Sequence, residues 1–148
     1  MPQSLAKILV HVIFGTKNRE PTIHPRVRSE LHAYVTGILR NLRCPSIQTG
    51  GTADHLHTLL VLARTQNIAD VVEEMKKSSS AWMKQRGVKD FFWQAGYGAF
   101  SIGESQAAAV TRYVAGQEAH HCRQSFQDEF RQFLKRYGVA YDERYLWD

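Results

Sequence analysis

Four residues of this sequence have types and spacings that can do chemistry together: His55, His57, Tyr113 and Gln117. His55 and His57 flank Leu56 in the run D-H-L-H-T-L-L-V-L from Asp54 to Leu62. On a strand, residues two apart share a face and lie roughly 6–7 Å apart along the backbone, so two imidazoles can converge on one cation. The same spacing also describes two histidines on a half-exposed strand face. Tyr113 and Gln117 are four apart, which on a helix puts them on one face, about 6 Å apart along the axis. A deprotonated tyrosine oxygen is a competent nucleophile on phosphorus. With an ordinary pKa of about 10, it needs a metal or a base nearby. Gln117 can offer its carbonyl oxygen as a neutral third ligand. A packed tyrosine and a solvated glutamine fit the pattern too. His11, in the middle of a first strand, can line the same site or be a satisfied core histidine. His120 and His121 are adjacent, diverge by about 100° on a helix and are assigned no role.

The elements that must position these groups follow from hydrophobic period and punctuation. Residues 5–14 read as a buried strand, and Gly15 to Pro25 as a basic loop. From Arg26, the positions Val27, Leu31, Tyr34, Val35, Ile38 and Leu42 fall at helical spacing, with Pro45 close behind. Ser46 to Thr49 is a short strand, Gly50-Gly51 a turn, and Asp54 to Leu62 a strong strand in which Leu56, Thr58 and Leu60 face the core. Asn67 caps a second helix that Gly87 stops. Phe91 to Trp93 and Tyr97 to Ile102 read as two more strands. A third helix runs from near Ser105 through Gln117 with Gly116 inside it. A fourth spans about Ser125 to Tyr137, opened by a Ser125/Asp128 capping pair and closed by Gly138. The aromatic tail from Tyr141 to Trp147 is expected to pack down. The order β-α-β-β-α-β-β-α-α predicts an α+β fold, one antiparallel sheet covered by helices.

The chain has 148 residues, 43% of them hydrophobic, which suits a single domain, 1–148, with a real core. Its net charge of +5 suits a polyanionic partner, because each neutralised phosphate releases a counterion. Lys17, Arg19, Lys76, Lys77 and Arg112 are the candidate DNA-binding residues. With Trp82, Phe91, Phe92, Trp93, Tyr97 and Phe100 they can form a charged track with stacking platforms, or a solvated surface over an aromatic core. Two cysteines, Cys44 and Cys122, make no metal or disulfide framework, so a cytoplasmic location is expected. No signal peptide, membrane-length apolar run or phosphate-binding G-x-x-x-x-G-K-[ST] loop is visible, so neither a membrane nor a nucleotide cofactor is expected.

Five pieces occur in order: H-V-I-F-G-T-K-N-R at 11–19, D-H-L-H at 54–57, I-A-D-V-V-E-E-M-K-K-S-S-S at 68–80, F-W-Q-A-G-Y at 92–97 and Y-V-A-G-Q at 113–117. Over about residues 5–120 the chain resembles the HUH-class single-tyrosine transposases of small bacterial insertion sequences (the insertion sequence 200/605-like group) and their REP-associated tyrosine relatives. Residues 121–148 form a helical, aromatic extension. The resemblance implies a ferredoxin-like or RRM-like sheet, a homodimer whose sites can be composite, and hairpin-containing single-stranded DNA as substrate. It makes His55, His57 and Gln117 ligands of Mg²⁺ or Mn²⁺, and Tyr113 the nucleophile that forms a 5′-phosphotyrosine bond. Three neutral ligands leave the ion its full charge, so metal and DNA phosphate are expected to bind cooperatively. The alternatives are a domesticated nuclease acting on chromosomal repeats, a non-catalytic single-strand binder on an RRM-like sheet, and a hydrolase that uses water in place of tyrosine.

Overall fold

The computed structural model describes residues 2–148. Strand β1 (Leu9–Gly15), helix α1 (Pro25–Asn41), strands β2 (Ser46–Gly51) and β3 (His55–Val61), helix α2 (Ile68–Gln85) and strand β4 (Gly98–Ile102) follow in that order. The strands pair antiparallel in the order β2-β3-β1-β4, a ferredoxin-like α+β arrangement. Helices α3 (Ala107–Ala115), α4 (Gln117–His120) and α5 (Phe126–Arg136) complete the chain. No helix among the described residues is long and apolar enough to cross a membrane.

Alternation along β1 and β3 gives the sheet two different faces. Val10, Val12, Phe14, Leu56 and Leu60 pack beneath Val27, Leu31, Val35 and Leu39 of α1 and Val71, Val72, Met75 and Met83 of α2. Each such side chain contributes about 1.5–3 kcal/mol when fully buried. The other face carries His11, Ile13, His55 and His57. There Ile13 and Phe100 form a second cluster with Phe126, Phe130 and Leu134 of α5. The Asn67 side chain accepts from Asp70 N–H at 2.8 Å, and Ser125 Oγ accepts from Asp128 N–H at 3.2 Å, so both expected N-caps are present.

The structure departs from the sequence reading in five places. Gly50-Gly51 is not a turn but the end of β2, paired with His57 and Leu56. The first strand begins at Leu9 rather than Leu5, and Leu5 is exposed. Phe91 to Trp93 is not a strand: β4 takes the β1 edge from Leu9 to Ile13, leaving only a single Thr16–Trp93 bridge beyond it. Phe91 and Trp93 are buried in the helix-covered core, which accounts for the apolar run. The third helix does not run through Gln117: it ends at Ala115, and Gly116 (φ −94°, ψ 21°) separates α3 from α4. Of the tail, Trp147 packs against Phe126 and Phe130, whereas Tyr141 and Tyr145 stay exposed.

Helix α3 lies unusually close to the sheet. A Cβ on Gly50 would stand 2.1 Å from the Val114 carbonyl oxygen, so only glycine allows this approach. Gly50 is the cross-strand partner of His57, and Val114 follows Tyr113.

Candidate active site

β3 presents His55 and His57 on the face opposite Leu56, as their spacing requires, and both are fully buried. The His55 Nδ1–H donates to Asp54 Oδ1 at 2.8 Å, with Thr52 Oγ at 3.0 Å. Its Nε2 then presents a lone pair to Gln117 Oε1, 3.1 Å away. The Gln117 amide is oriented by its own N–H donation to the Tyr113 carbonyl at 3.2 Å, and Gln117 is also buried. Two acceptor atoms facing each other at this distance suit a cation between them.

Across the sheet, His11 Nε2 lies 2.8 Å from His57 Nδ1. Burial, and then the neighbouring His57, lowers the His11 pKa to about 3. Burial likewise lowers that of His57 to about 4, so this ring is neutral at pH 7. A neutral imidazole is the form that ligates a metal.

Helix α5 brings in a residue absent from the sequence-based set. Glu129, 1% exposed, sits at the centre of the histidines. Its Oε1 lies 2.8 Å from His57 Nε2 and 3.9 Å from His55 Nε2. Its Oε2 lies 3.2 Å from Nε2 of both His120 and His121 and accepts a hydrogen bond from the Tyr113 hydroxyl. Burial alone would raise the carboxyl pKa. Hydrogen bonds from His121 and His57 outweigh it and hold Glu129 well below the usual carboxylate range. Burial, then the Glu129 hydrogen bond and charge, pushes the Tyr113 hydroxyl above its ordinary value. His55, His57, His121 and Glu129 each offer a ligand atom, all within 4.8 Å of one another. Donors on one ion stand at most about 4 Å apart, so the set closes on a cation with shifts of under an ångström. The donor set therefore fits a divalent metal.

Tyr113, His55, His57 and Gln117 thus meet within one chain. His120 and His121 also meet there, contrary to their sequence reading. Both rings, although adjacent on α4 and its C-cap, reach one carboxylate oxygen that lies between them, Glu129 Oε2, at 3.2 Å from each Nε2. Glu129 had one visible signal. Phe126, Phe130, Phe133 and Leu134 form the apolar stripe of α5, and Glu129 lies three residues along it from Phe126 as its lone charge. A pocket of about 430 Å³ opens beside Tyr113, lined by His11, His120, Glu129, Phe133 and Arg136.

Of the basic candidates, Lys17, Arg19, Lys77 and Arg112 are exposed. The Lys76 ammonium donates to the carbonyls of Gln94, Ala95 and Gly96 at 2.7, 3.1 and 2.6 Å. Burial lowers its pKa to about 8. Lys76 and Lys77 lie on α2, across the sheet from Tyr113. Gly116 has only the carbonyls of Arg112 and Tyr113 near an added Cβ.

The profile of the family described as "Transposase IS200 like" matches residues 4–117. No curated protein matches. Several solved structures share the fold, two among them as follows. One is a Deinococcus radiodurans chain described as a transposase: 22% identical, TM-score 0.61, covering 77% of this chain and 95% of that one. The other is a REP-associated tyrosine transposase bound to a REP hairpin: 14% identical, TM-score 0.57, covering 77% of this chain and 68% of that one. With its ferredoxin-like sheet and a match over residues 4–117, the chain belongs to the IS200-like transposase family.

Proposed function

We propose that this chain binds hairpin-containing single-stranded DNA and cleaves and rejoins it through Tyr113. The observation that carries the reading is the convergence of the Tyr113 hydroxyl with His55, His57 and Gln117 around one carboxylate-sized space. His55, His57 and Gln117 hold a divalent ion, Mg²⁺ or Mn²⁺. When bound, the ion polarises the scissile phosphate and stabilises charge on its oxygens.

The rest is the work of the chain. The Tyr113 oxygen attacks phosphorus in line, forming an O–P bond as the bond from phosphorus to the 3′-oxygen breaks. The hydroxyl proton has two acceptors within reach, Glu129 Oε2 and, at 3.3 Å, His120 Nε2. The released 3′-oxygen takes up a proton. The 5′-phosphotyrosine ester keeps the energy of the broken bond, so another 3′-hydroxyl can attack it without ATP. Asp54 orients His55, and His11 orients His57. The exposed cations Lys17, Arg19, Lys77 and Arg112 contribute sequence-independent affinity for the backbone. One nucleophilic tyrosine per chain suits a homodimer acting on two DNA ends. A hairpin-bound protein of the same fold supports hairpins as the DNA form to try first.

The test is incubation with hairpin-bearing single-stranded DNA from the ends of its own locus, in Mn²⁺ or EDTA, followed by a denaturing gel. A protein–DNA adduct that needs metal and is lost in Tyr113→Phe is expected. Cleavage at a normal rate by Tyr113→Phe would make water the nucleophile and overturn the reading.

A further inference from the structure

Glu129 and His121 lie outside residues 4–117, the part shared with the family. Glu129 nevertheless is among the most deeply buried groups of the site, and His121 stands beside it, partly exposed. We propose that Glu129 and His121 are ligands of the same ion as His55 and His57, making a resident transition-metal site that fills before DNA arrives. This rests on the metal-dependent reading above and changes its energetics.

The geometry is that of a single cluster. Glu129 Oε1 is 2.8 Å from His57 Nε2, and His121 Nε2 is 2.9 Å from Gln117 Oε1 and 3.2 Å from Glu129 Oε2. Three groups of the site already have a partner on their far side. His55 leans on Asp54, His57 on His11, and Gln117 on the Tyr113 carbonyl. Outer partners of this kind fix ring orientation and raise ligand basicity.

Charge and softness then separate this site from one built of two histidines and a glutamine. A neutral set leaves an ion its full charge and waits for a phosphate. Glu129 supplies an anion from the chain itself, so the ion is held without nucleic acid. Three imidazoles and one carboxylate match Mn²⁺, Co²⁺ or Zn²⁺. Mg²⁺ prefers oxygen donors and retains its waters. The other Glu129 oxygen holds the Tyr113 hydroxyl. A scissile phosphate therefore enters by replacing the Glu129 carboxylate, one anion for another. Metal affinity should then change little when DNA binds.

The experiment is isothermal titration of the full, chelator-treated chain with Mn²⁺, Zn²⁺ or Mg²⁺, with and without a hairpin-bearing single strand. Wild type should bind Mn²⁺ and Zn²⁺ without DNA and Mg²⁺ at least about tenfold more weakly, and DNA should alter Mn²⁺ affinity by less than about threefold. Glu129→Gln should weaken Mn²⁺ binding by about tenfold to a hundredfold without DNA, and DNA should then strengthen it. Should Glu129→Gln fail to fold by circular dichroism, His121→Ala, at a partly exposed position, carries the same expectation of weakened binding. Wild-type affinity in either folded variant, or no Mn²⁺ binding by wild type until DNA is added, overturns the proposal. Metal binding that depends on Glu129 in a chain that forms no adduct would leave this inference standing while the cleavage reading falls.

Discussion

Replacing Gly50 by alanine should disable strand cleavage while leaving the histidines in place. The added Cβ would lie 2.1 Å from the Val114 carbonyl oxygen and 3.1 Å from its carbon. Ordinary contact needs about 3.4 Å or more, so α3 must retreat by about 1 Å, or the sheet must buckle. Tyr113 precedes Val114 and moves with it. Misplacing a reacting group by about 1 Å costs on the order of a hundredfold in rate. Overpacking of this kind also costs about 1–3 kcal/mol of stability. Single-turnover adduct formation measured on a denaturing gel, with thermal melting alongside, checks both numbers. His55 and His57 sit on β3, so Mn²⁺ should still bind. Adduct formation within about threefold of wild type, at an unchanged melting temperature, would show that the Gly50–Val114 contact does not set the nucleophile's position.

Other perturbations follow from the same geometry. Burial, and then Arg28, lowers the His32 pKa to about 4, whereas in the unfolded chain it titrates near its ordinary value of 6.5. Below pH 6.5 the unfolded chain therefore binds a proton that the folded one refuses, and stability falls as pH drops from 6.5 toward 4, by about 1.4 kcal/mol per unit at most. His32→Gln should flatten that part of a stability-versus-pH curve from chemical denaturation, and an unchanged slope would clear His32. Arg112→Ala should lower the salt dependence of DNA binding by about one unit of slope, while Lys76→Ala should leave the slope alone and lower the melting temperature, because its ammonium serves three carbonyls. Phe130→Ala should cost about 3–5 kcal/mol and make the site histidines reactive to diethylpyrocarbonate in the folded chain; unchanged reactivity would mean that α5 is not what shields them.

Up to residue 90 the elements were legible, apart from the start of β1 and the end of β2, because each is specified locally. Alternation around Leu56, the Asn67 cap and the helical spacing from Val27 leave little choice of register. The site was legible where its residues share one element, as His55 and His57 do. It was hidden where elements meet. Glu129 reaches His57 from 72 residues away, and no local period announces that α5 lies across the histidine face. The 100° rule for His120 and His121 did not exclude their meeting because Glu129, from another helix, places one oxygen 3.2 Å from both rings. Phe91 to Trp93 misled for a related reason. Its apolar character comes from tertiary burial against Phe14, while a lysine ammonium, not a strand partner, satisfies the carbonyls that follow.

The burial of the α5 face turns access to the site into an equilibrium. His55, His57, Gln117 and Glu129 are each no more than 1% exposed, and Phe126, stacked on His55, covers them on its side. For a DNA substrate approaching from that side, productive encounters would draw on the fraction of molecules in which this segment has lifted. Each 1.4 kcal/mol of net hold makes that fraction tenfold smaller, and apparent affinity falls in proportion. A hold of about 3 kcal/mol, the scale of one or two of its buried aromatic rings, would set turnover roughly a hundredfold below the intrinsic rate of the chemistry. Throughput could then change by orders of magnitude through substitutions at Phe126, Phe130 or Leu134, none of which need touch the DNA.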